Sequence, residues 1–142
     1  MGLYSKRYVN GKAITLKQFD AHRSAMREVG LDLDDFYVAQ GSWSAGRLSA
    51  GTHTRSGVLD QRLRNLPSSK WIALNTELRK RRQVAYPRIV KFGWTKGDHI
   101  HSVDRDDPNL APGARQQVTE YLRGGDGLSG SKSDPAPRPT MW

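Results

Sequence analysis

The chain contains no cysteine, and this absence narrows what it can fold into more than any other feature. Disulfide-stapled scaffolds, thiolate metal sites and cysteine nucleophiles are all excluded. The length of 142 residues suits one domain with one modest core. Because only 36% of the residues are hydrophobic, that domain should be small and rich in loops. Any metal it binds must be held by histidine and carboxylate side chains.

The charge balance is strongly basic, with 23 Lys and Arg against 14 Asp and Glu, a formal net charge of +9. This excess predicts attraction to a polyanion or an acidic surface, such as nucleic acid, an anionic cell wall or an acidic partner subunit. Solubility alone is the other interpretation, because the basic residues are scattered apart from "RKRR" at 79–82. Nucleic acid is the least favoured partner, since the sequence has no signature of a helix-turn-helix, OB or RRM module.

The N-terminal residues "MGLYSKRYVNGK" lack the apolar stretch of a signal peptide, and no apolar run approaches the roughly 18 residues of a membrane span. We therefore expect no export signal and no membrane partner.

Helical and strand patterns alternate along the chain. Residues 15–30 predict an amphipathic helix with Phe19 and Met26 on its apolar stripe, Thr15 and Gln18 as a capping box, and Gly30 as the stop. A second helix is predicted after Pro67, with the basic "RKRR" as a solvated face at its end, and a third over 114–123. Short strands are predicted within 34–43, 57–63, 84–94 and 98–104, and the proline of 84–94 points to a sheet edge or a bulge.

The composition changes at residue 124, so we divide the chain into a domain, 1–123, and a C-terminal tail, 124–142. The tail is dominated by Gly, Ser, Pro and Asp and cannot bury enough apolar surface to offset its ordering entropy. To be ordered it would need something to pack on, such as a neighbouring subunit, with Met141 and Trp142 as anchors.

The four histidines of the chain, together with Asp60, raise the question of a metal site. His22 lies in the first predicted helix, which favours a structural or surface role. In a straight strand, His53 and Asp60 would point to opposite faces, so they can share a metal only if the chain turns at "TRSG" between them. His99 and His101 share one strand face and could meet Asp60 across the sheet. The other interpretation is that all are ordinary polar positions.

Three separated blocks then suggest a family. They are "VAQGSWSAGRLSAGTHTRSGVLDQRL", "HIHSV" and "GARQQVTEYLRGGDGL", and in this order the chain resembles the zinc peptidases of the D-alanyl-D-alanine carboxypeptidase family. That family includes vancomycin-resistance D,D-dipeptidases and bacteriophage L-alanyl-D-glutamate endolysins, and the likeness is greatest to small actinobacterial and phage members. The resemblance implies an α+β fold, with a small antiparallel sheet packed against two to three helices and a metal site on the open sheet face.

The resemblance also implies roles for particular residues. His53, Asp60 and His101 correspond to the family's ligands for Zn²⁺. Asp98 stands where the family has a glutamate that acts as general base, three positions before the last histidine. Three further side chains are expected to support the site or face the substrate: Gln40, Arg55 and His99.

The activity that the resemblance implies is zinc-dependent cleavage of peptidoglycan stem peptides, of the D,D-carboxypeptidase or L-Ala-D-Glu endopeptidase type. The protein would be made in a host cytoplasm and act at the anionic cell wall or as part of a phage particle. The alternative is a phage structural or virion-assembly protein that retains the peptidase scaffold with reduced or no catalysis. Asp98 in place of glutamate and "TRSG" in place of a glycine-rich turn favour this alternative.

Overall fold

The computed structural model of the chain describes residues 8–9, 12–41, 55–94, 97–128 and 132–139. His53, a predicted metal ligand, lies outside the described residues, as do Met141 and Trp142, the predicted anchors of the tail.

The described residues contain three α-helices: α1 (Leu16–Glu28), α2 (Trp71–Lys80) and α3 (Pro112–Leu122). They also contain six strands: β1 (Tyr8–Val9), β2 (Lys12–Ala13), β3 (Val38–Gln40), β4 (Val58–Arg62), β5 (Gln83–Arg88) and β6 (His99–Asp104). Short 3₁₀ turns occupy Leu33–Asp35, Ser68–Lys70 and Val90–Phe92. Within these described ranges, no helix is both long enough and apolar enough to cross a bilayer.

Four of the strands form one antiparallel sheet in the order β3-β4-β6-β5, and β1 and β2 pair in a sheet of their own. The fold is therefore α+β, with a small antiparallel sheet and three helices, as predicted. Pro87 lies in β5 at the edge of the four-stranded sheet, where its missing N–H breaks no ladder. β6 lies inside the sheet, between β4 and β5.

Helix α1 begins and ends as its sequence predicts. The Thr15 hydroxyl accepts a hydrogen bond from the Gln18 N–H at 3.1 Å, which satisfies one of the free N–H groups of the first turn. Phe19 and Met26 are buried, and each contributes roughly 1.5–3 kcal/mol by leaving water. Gly30 follows the helix with φ +77°, a left-handed conformation that glycine adopts without steric cost.

One face of the sheet forms the larger core with α1 and α2. The buried sheet residues are Val38, Leu59, Ala85 and Ile100, and the buried helix residues are Phe19, Ala25, Met26, Leu74 and Leu78. The opposite face forms a smaller core with α3. Its members include Val58, Val84 and Val103 from the sheet and Ala114 and Tyr121 from the helix. The strands continue beyond the three valines. In the next rows of side chains on this second face, the strand register places polar residues.

The predicted solvated basic face at the end of α2 is wrong for Arg79. This side chain has 0% exposure, and its guanidinium forms an ion pair with Asp134 at 2.7 Å. It also donates to the carbonyl oxygen of Pro137 at 2.9 Å. Arg82, by contrast, is exposed and pairs with Asp106 at 2.6 Å. Local sequence cannot distinguish the two arginines, because the carboxylate that buries Arg79 lies far along the chain.

Residues 132–139, which we name the C-terminal strap, pack against the chain's own domain. Ser133 forms an isolated β-bridge with Gly125. Arg138 donates to Asp134 at 3.0 Å, and its guanidinium lies 3.8 Å from the centre of the Tyr121 ring. Buried charge pairing therefore orders a segment whose apolar content is low. Packing of the tail on a neighbouring subunit stays a prediction.

Candidate functional site

Asp60 and His101 meet across the sheet. They are register partners in the antiparallel pairing of β4 with β6, so their side chains share one face. The His101 Nδ1 lies 2.8 Å from Asp60 Oδ1, although the residues are 41 positions apart in sequence. Both side chains are largely shielded from solvent, at 8% and 14% exposure. The structure thus brings together two of the three residues that the resemblance implies as metal ligands.

His99 lies on the same face, one row further along β6. Its Nε2 is 3.9 Å from Asp60 Oδ2, which is beyond hydrogen-bond distance. Its Nδ1 lies 2.6 Å from the carbonyl oxygen of Gly97, so Nδ1 carries a proton and donates it. The ring also packs edge-on against Trp94, with the ring centres 5.5 Å apart. His99 is therefore beside the Asp60–His101 pair without being part of it.

The far nitrogen of His101 contacts a residue that the sequence analysis missed. His101 Nε2 lies 2.7 Å from Gln117 Oε1, and Gln117 is buried in α3. A signal for Gln117 was present, because it shares the buried face of α3 with Ala114 and Tyr121. A glutamine among buried apolar positions must find partners for its amide, and here one of them is the candidate ligand.

A cleft of about 530 Å³ opens beside this cluster. Four residues named in the sequence analysis line it: Gln40, Asp60, Asp98 and His99. Gln40 is the register partner of Asp60 on β3, at a point where the pairing shifts. Arg62 and Arg64 also line the cleft. Its walls therefore carry two carboxylates, those of Asp60 and Asp98, and two cations.

Asp98 precedes the first residue of β6 and follows Gly97, whose φ is +73°. The general-base role requires such a bend, because in a continuous strand Asp98 and His101 would point to opposite faces. The Oδ1 atom of Asp98 is buried and has no hydrogen-bond partner among the described residues. Asp98 also lines a second, more apolar cleft of about 270 Å³, together with Trp71 and Ile89.

The turn predicted at "TRSG" is present where the structure describes it. Residues 55–57 form a bend, and Gly57 has φ +86°. A side chain there would collide with Asp107 and Leu110, so only glycine fits. Ser56 donates to Asp107 at 2.9 Å and anchors the bend. Arg55 is exposed in this bend and is not part of the described cleft lining, so its predicted contact with the site or substrate stays a prediction.

A positive charge lies close to the site on the neighbouring strand. Arg88 is the register partner of His99 and is largely buried, with its guanidinium over the rings of Tyr86 and Trp94. Burial lowers the pKa of Arg88 below its ordinary value, and nearby negative charge, including that of Asp60, opposes this shift. A buried cation therefore balances part of the negative charge of the Asp60 carboxylate.

Across the parts of the chain that the structure describes, no three histidine or carboxylate side chains converge in a group that could hold a metal ion. Asp60 and His101 would be two members of such a group, and the predicted third member, His53, lies outside the described residues.

Comparison with known proteins adds no further constraint. No protein-family model matches the chain, and neither a curated protein nor a solved structure matches it. Function must therefore be argued from the site.

Proposed function

We propose that this chain is a zinc-dependent peptidase that cleaves peptidoglycan stem peptides. The observation that carries the proposal is the Asp60–His101 pair, whose nitrogen and oxygen atoms are 2.8 Å apart at the edge of a large cleft. Catalytic zinc sites use three protein ligands from histidine and carboxylate residues. We assign Asp60, His101 and His53 as these ligands.

The hydrogen bonding of His101 fits a metal ligand. Oxygen atoms lie against both ring nitrogens, Asp60 Oδ1 at Nδ1 and Gln117 Oε1 at Nε2. A neutral imidazole has one donor and one acceptor nitrogen, so it cannot satisfy two oxygen acceptors. The NH₂ group of Gln117 faces the carbonyl oxygen of Gly127, so its oxygen faces Nε2 and Nε2 is the donor. The contact of Nδ1 with Asp60 then needs a second proton or a cation at Nδ1. Metal-bound histidines commonly donate their other N–H to a carbonyl or carboxylate oxygen, as His101 would to Gln117.

A bound Zn²⁺ would supply a Lewis acid that polarises a peptide carbonyl and acidifies water. Asp98 lines the same cleft as Asp60, and in this proposal it takes the proton from the attacking water. Arg62 and Arg64 line the cleft as well, and cationic walls favour a substrate that carries carboxylates. Peptidoglycan stem peptides have this chemistry.

A second candidate is a virion-assembly protein that retains the peptidase scaffold and the metal site. The observation that favours reduced catalysis is the buried Oδ1 of Asp98, which has no hydrogen-bond partner among the described residues, because this one of the two carboxylate oxygens is withdrawn from water. A base displaced by about an ångström can cost on the order of a hundredfold in rate. The two candidates share the metal and differ in turnover.

Metal content and hydrolysis, measured together, test the proposal. We expect the purified protein to carry about one Zn²⁺ per chain and to cleave purified muropeptides. Asp60→Asn and His101→Gln should lose both zinc and cleavage. Asp98→Asn should retain zinc while cleavage falls by roughly 10²–10⁴-fold. Asp20→Asn, at an exposed position of α1, is the matched control and should behave as the wild type.

The outcomes separate the candidates. Zinc without cleavage by the wild type would support the assembly protein. Wild type that binds no zinc, or an Asp60→Asn variant that retains it, would contradict both candidates.

A further inference from the structure

The two oxygen contacts of His101 come from different sources. Asp60 contributes a carboxylate from the neighbouring strand, whereas Gln117 contributes an amide from α3. An amide presents either its oxygen or its NH₂ group, so what His101 meets at Nε2 depends on how the Gln117 side chain is turned.

Gly127 determines that orientation. Gln117 Nε2 lies 3.3 Å from the carbonyl oxygen of Gly127, which can only accept a hydrogen bond. The NH₂ group of Gln117 must therefore face Gly127, and its oxygen must face His101. The reverse orientation would place two oxygens together at Gly127.

The position of Gly127 is itself tightly constrained. Its φ is +77°, and an added Cβ would lie 2.6 Å from the ring of Tyr86. The Tyr86 hydroxyl in turn lies 3.2 Å from the carbonyl oxygen of Gln117, to which it donates. Backbone and ring thus hold the Gly127 carbonyl in place against the amide of Gln117.

We propose that Gln117 is a positioning residue for His101: its amide oxygen accepts a hydrogen bond from Nε2–H and thereby fixes the ring with Nδ1 facing Asp60 and the metal. The effect of Gln117 on metal binding rests on the proposed function, whereas the hydrogen bond between Gln117 and His101 Nε2 does not. Gln117 acts through His101 and does not itself contact the substrate or the metal.

The test locates the protons of the His101 ring in metal-free protein. Long-range ¹H–¹⁵N spectra of histidine-labelled protein show which ring nitrogen carries a proton. We expect a protonated Nε2 in the wild type. Gln117→Met has similar length and only a weak thioether acceptor, so the ring proton should shift to Nδ1, facing Asp60. Gln117→Glu restores an acceptor oxygen and should restore the proton on Nε2.

His22 is the internal control for folding, because it is fully buried on the opposite face of the sheet and its ring signals should be the same in all three proteins. An unprotonated Nε2 in the wild type would overturn the proposal. A Gln117→Met spectrum identical to that of the wild type would overturn it as well.

Zinc titration gives a second readout. Loss of an outer hydrogen-bond partner typically weakens metal binding by about 10–100-fold, so we expect that loss in Gln117→Met and a smaller one in Gln117→Glu. If the wild type binds no zinc, the proposed function fails while the spectra still decide the role of Gln117. Equal zinc affinity in the wild type and Gln117→Met would contradict the positioning role.

Discussion

His22 shows how burial decides the role of a single histidine. It lies in α1, fully buried, and contacts Gln61 Oε1 through Nδ1 at 2.7 Å and the Ser102 hydroxyl through Nε2 at 3.0 Å. Burial lowers the pKa of His22 to about 4, although the hydrogen bond to Gln61 opposes the shift. The ring is therefore neutral at neutral pH, and its role is structural, one of the two roles that the sequence indicated.

This shift predicts a pH dependence of stability. Unfolded His22 titrates near its ordinary pKa of 6.5, whereas the folded residue titrates at about 4. The stabilisation is complete above pH ~6.5 and is lost as pH falls towards ~4, because only the unfolded chain takes up the proton in that window. The total loss is about 3 kcal/mol.

Urea unfolding at a series of pH values checks this expectation. His22→Gln should be less stable at pH ~7, and its free energy of unfolding should fall less than that of the wild type between pH ~6.5 and ~4. His99→Gln is the control, since His99 lies outside the buried network. Equal slopes for the wild type and His22→Gln would contradict the assignment.

At the scale of elements, α2 and the C-terminal strap are joined by buried charge. The side chains of Arg79 and Asp134 have 0% and 1% exposure, and Arg138 also donates to Asp134. Burial lowers the pKa of Arg79, and the negative charge of Asp134 opposes the shift. A buried ion pair is costly to break, because removing one partner leaves an uncompensated charge in the interior.

Asp134→Asn should therefore destabilise the protein by about 3–5 kcal/mol. Asp106→Asn is the matched control: Asp106 accepts two hydrogen bonds from Arg82, but solvent screens this exposed pair, so its loss should cost far less. Thermal unfolding of the two variants measures the difference. Equal losses would show that the strap contributes no more than a surface contact.

The contacts of the strap determine which truncation of the tail can test a role in assembly. Truncation after Leu128 would remove Asp134 and so destabilise the domain, whatever the tail does in a particle. Removing only residues 140–142 leaves the described strap contacts in place. That shorter truncation separates a predicted assembly role from folding.

At the scale of the whole molecule, the net charge of +9 bears on the proposed substrate. Attraction to an anionic cell wall is long-ranged and screened by salt, with a Debye length of about 10 Å at 0.1 M and about 3 Å at 1 M. We expect co-sedimentation with purified cell walls to fall steeply between these salt concentrations, while zinc content stays constant. Binding that is insensitive to salt would contradict an electrostatic role for the basic surface.

The sequence by itself determined the three helices and the approximate positions of the four strands of the main sheet. It did not predict β1 or β2, and it extended the fifth strand over the 3₁₀ turn at Val90–Phe92. The apolar stripe and cap of α1, the proline-containing edge strand β5, and the bend at Gly57 all follow from local rules of periodicity and backbone conformation. Strand alternation also predicted that Asp60 and His101 occupy polar positions of their strands. Exclusion of cysteine chemistry needed composition alone.

Only the tertiary structure decided which residues meet. The register of β4 with β6 pairs Asp60 with His101, the packing of α3 brings Gln117 to His101, and the strap brings Asp134 to Arg79. Each contact joins segments distant in sequence, and a shift of one residue in strand register would turn the side chains to the other face. Local patterns indicated that Asp60 could meet His99 or His101, but they could not select the partner, because the free energy that selects it comes from burial and charge compensation across the whole domain.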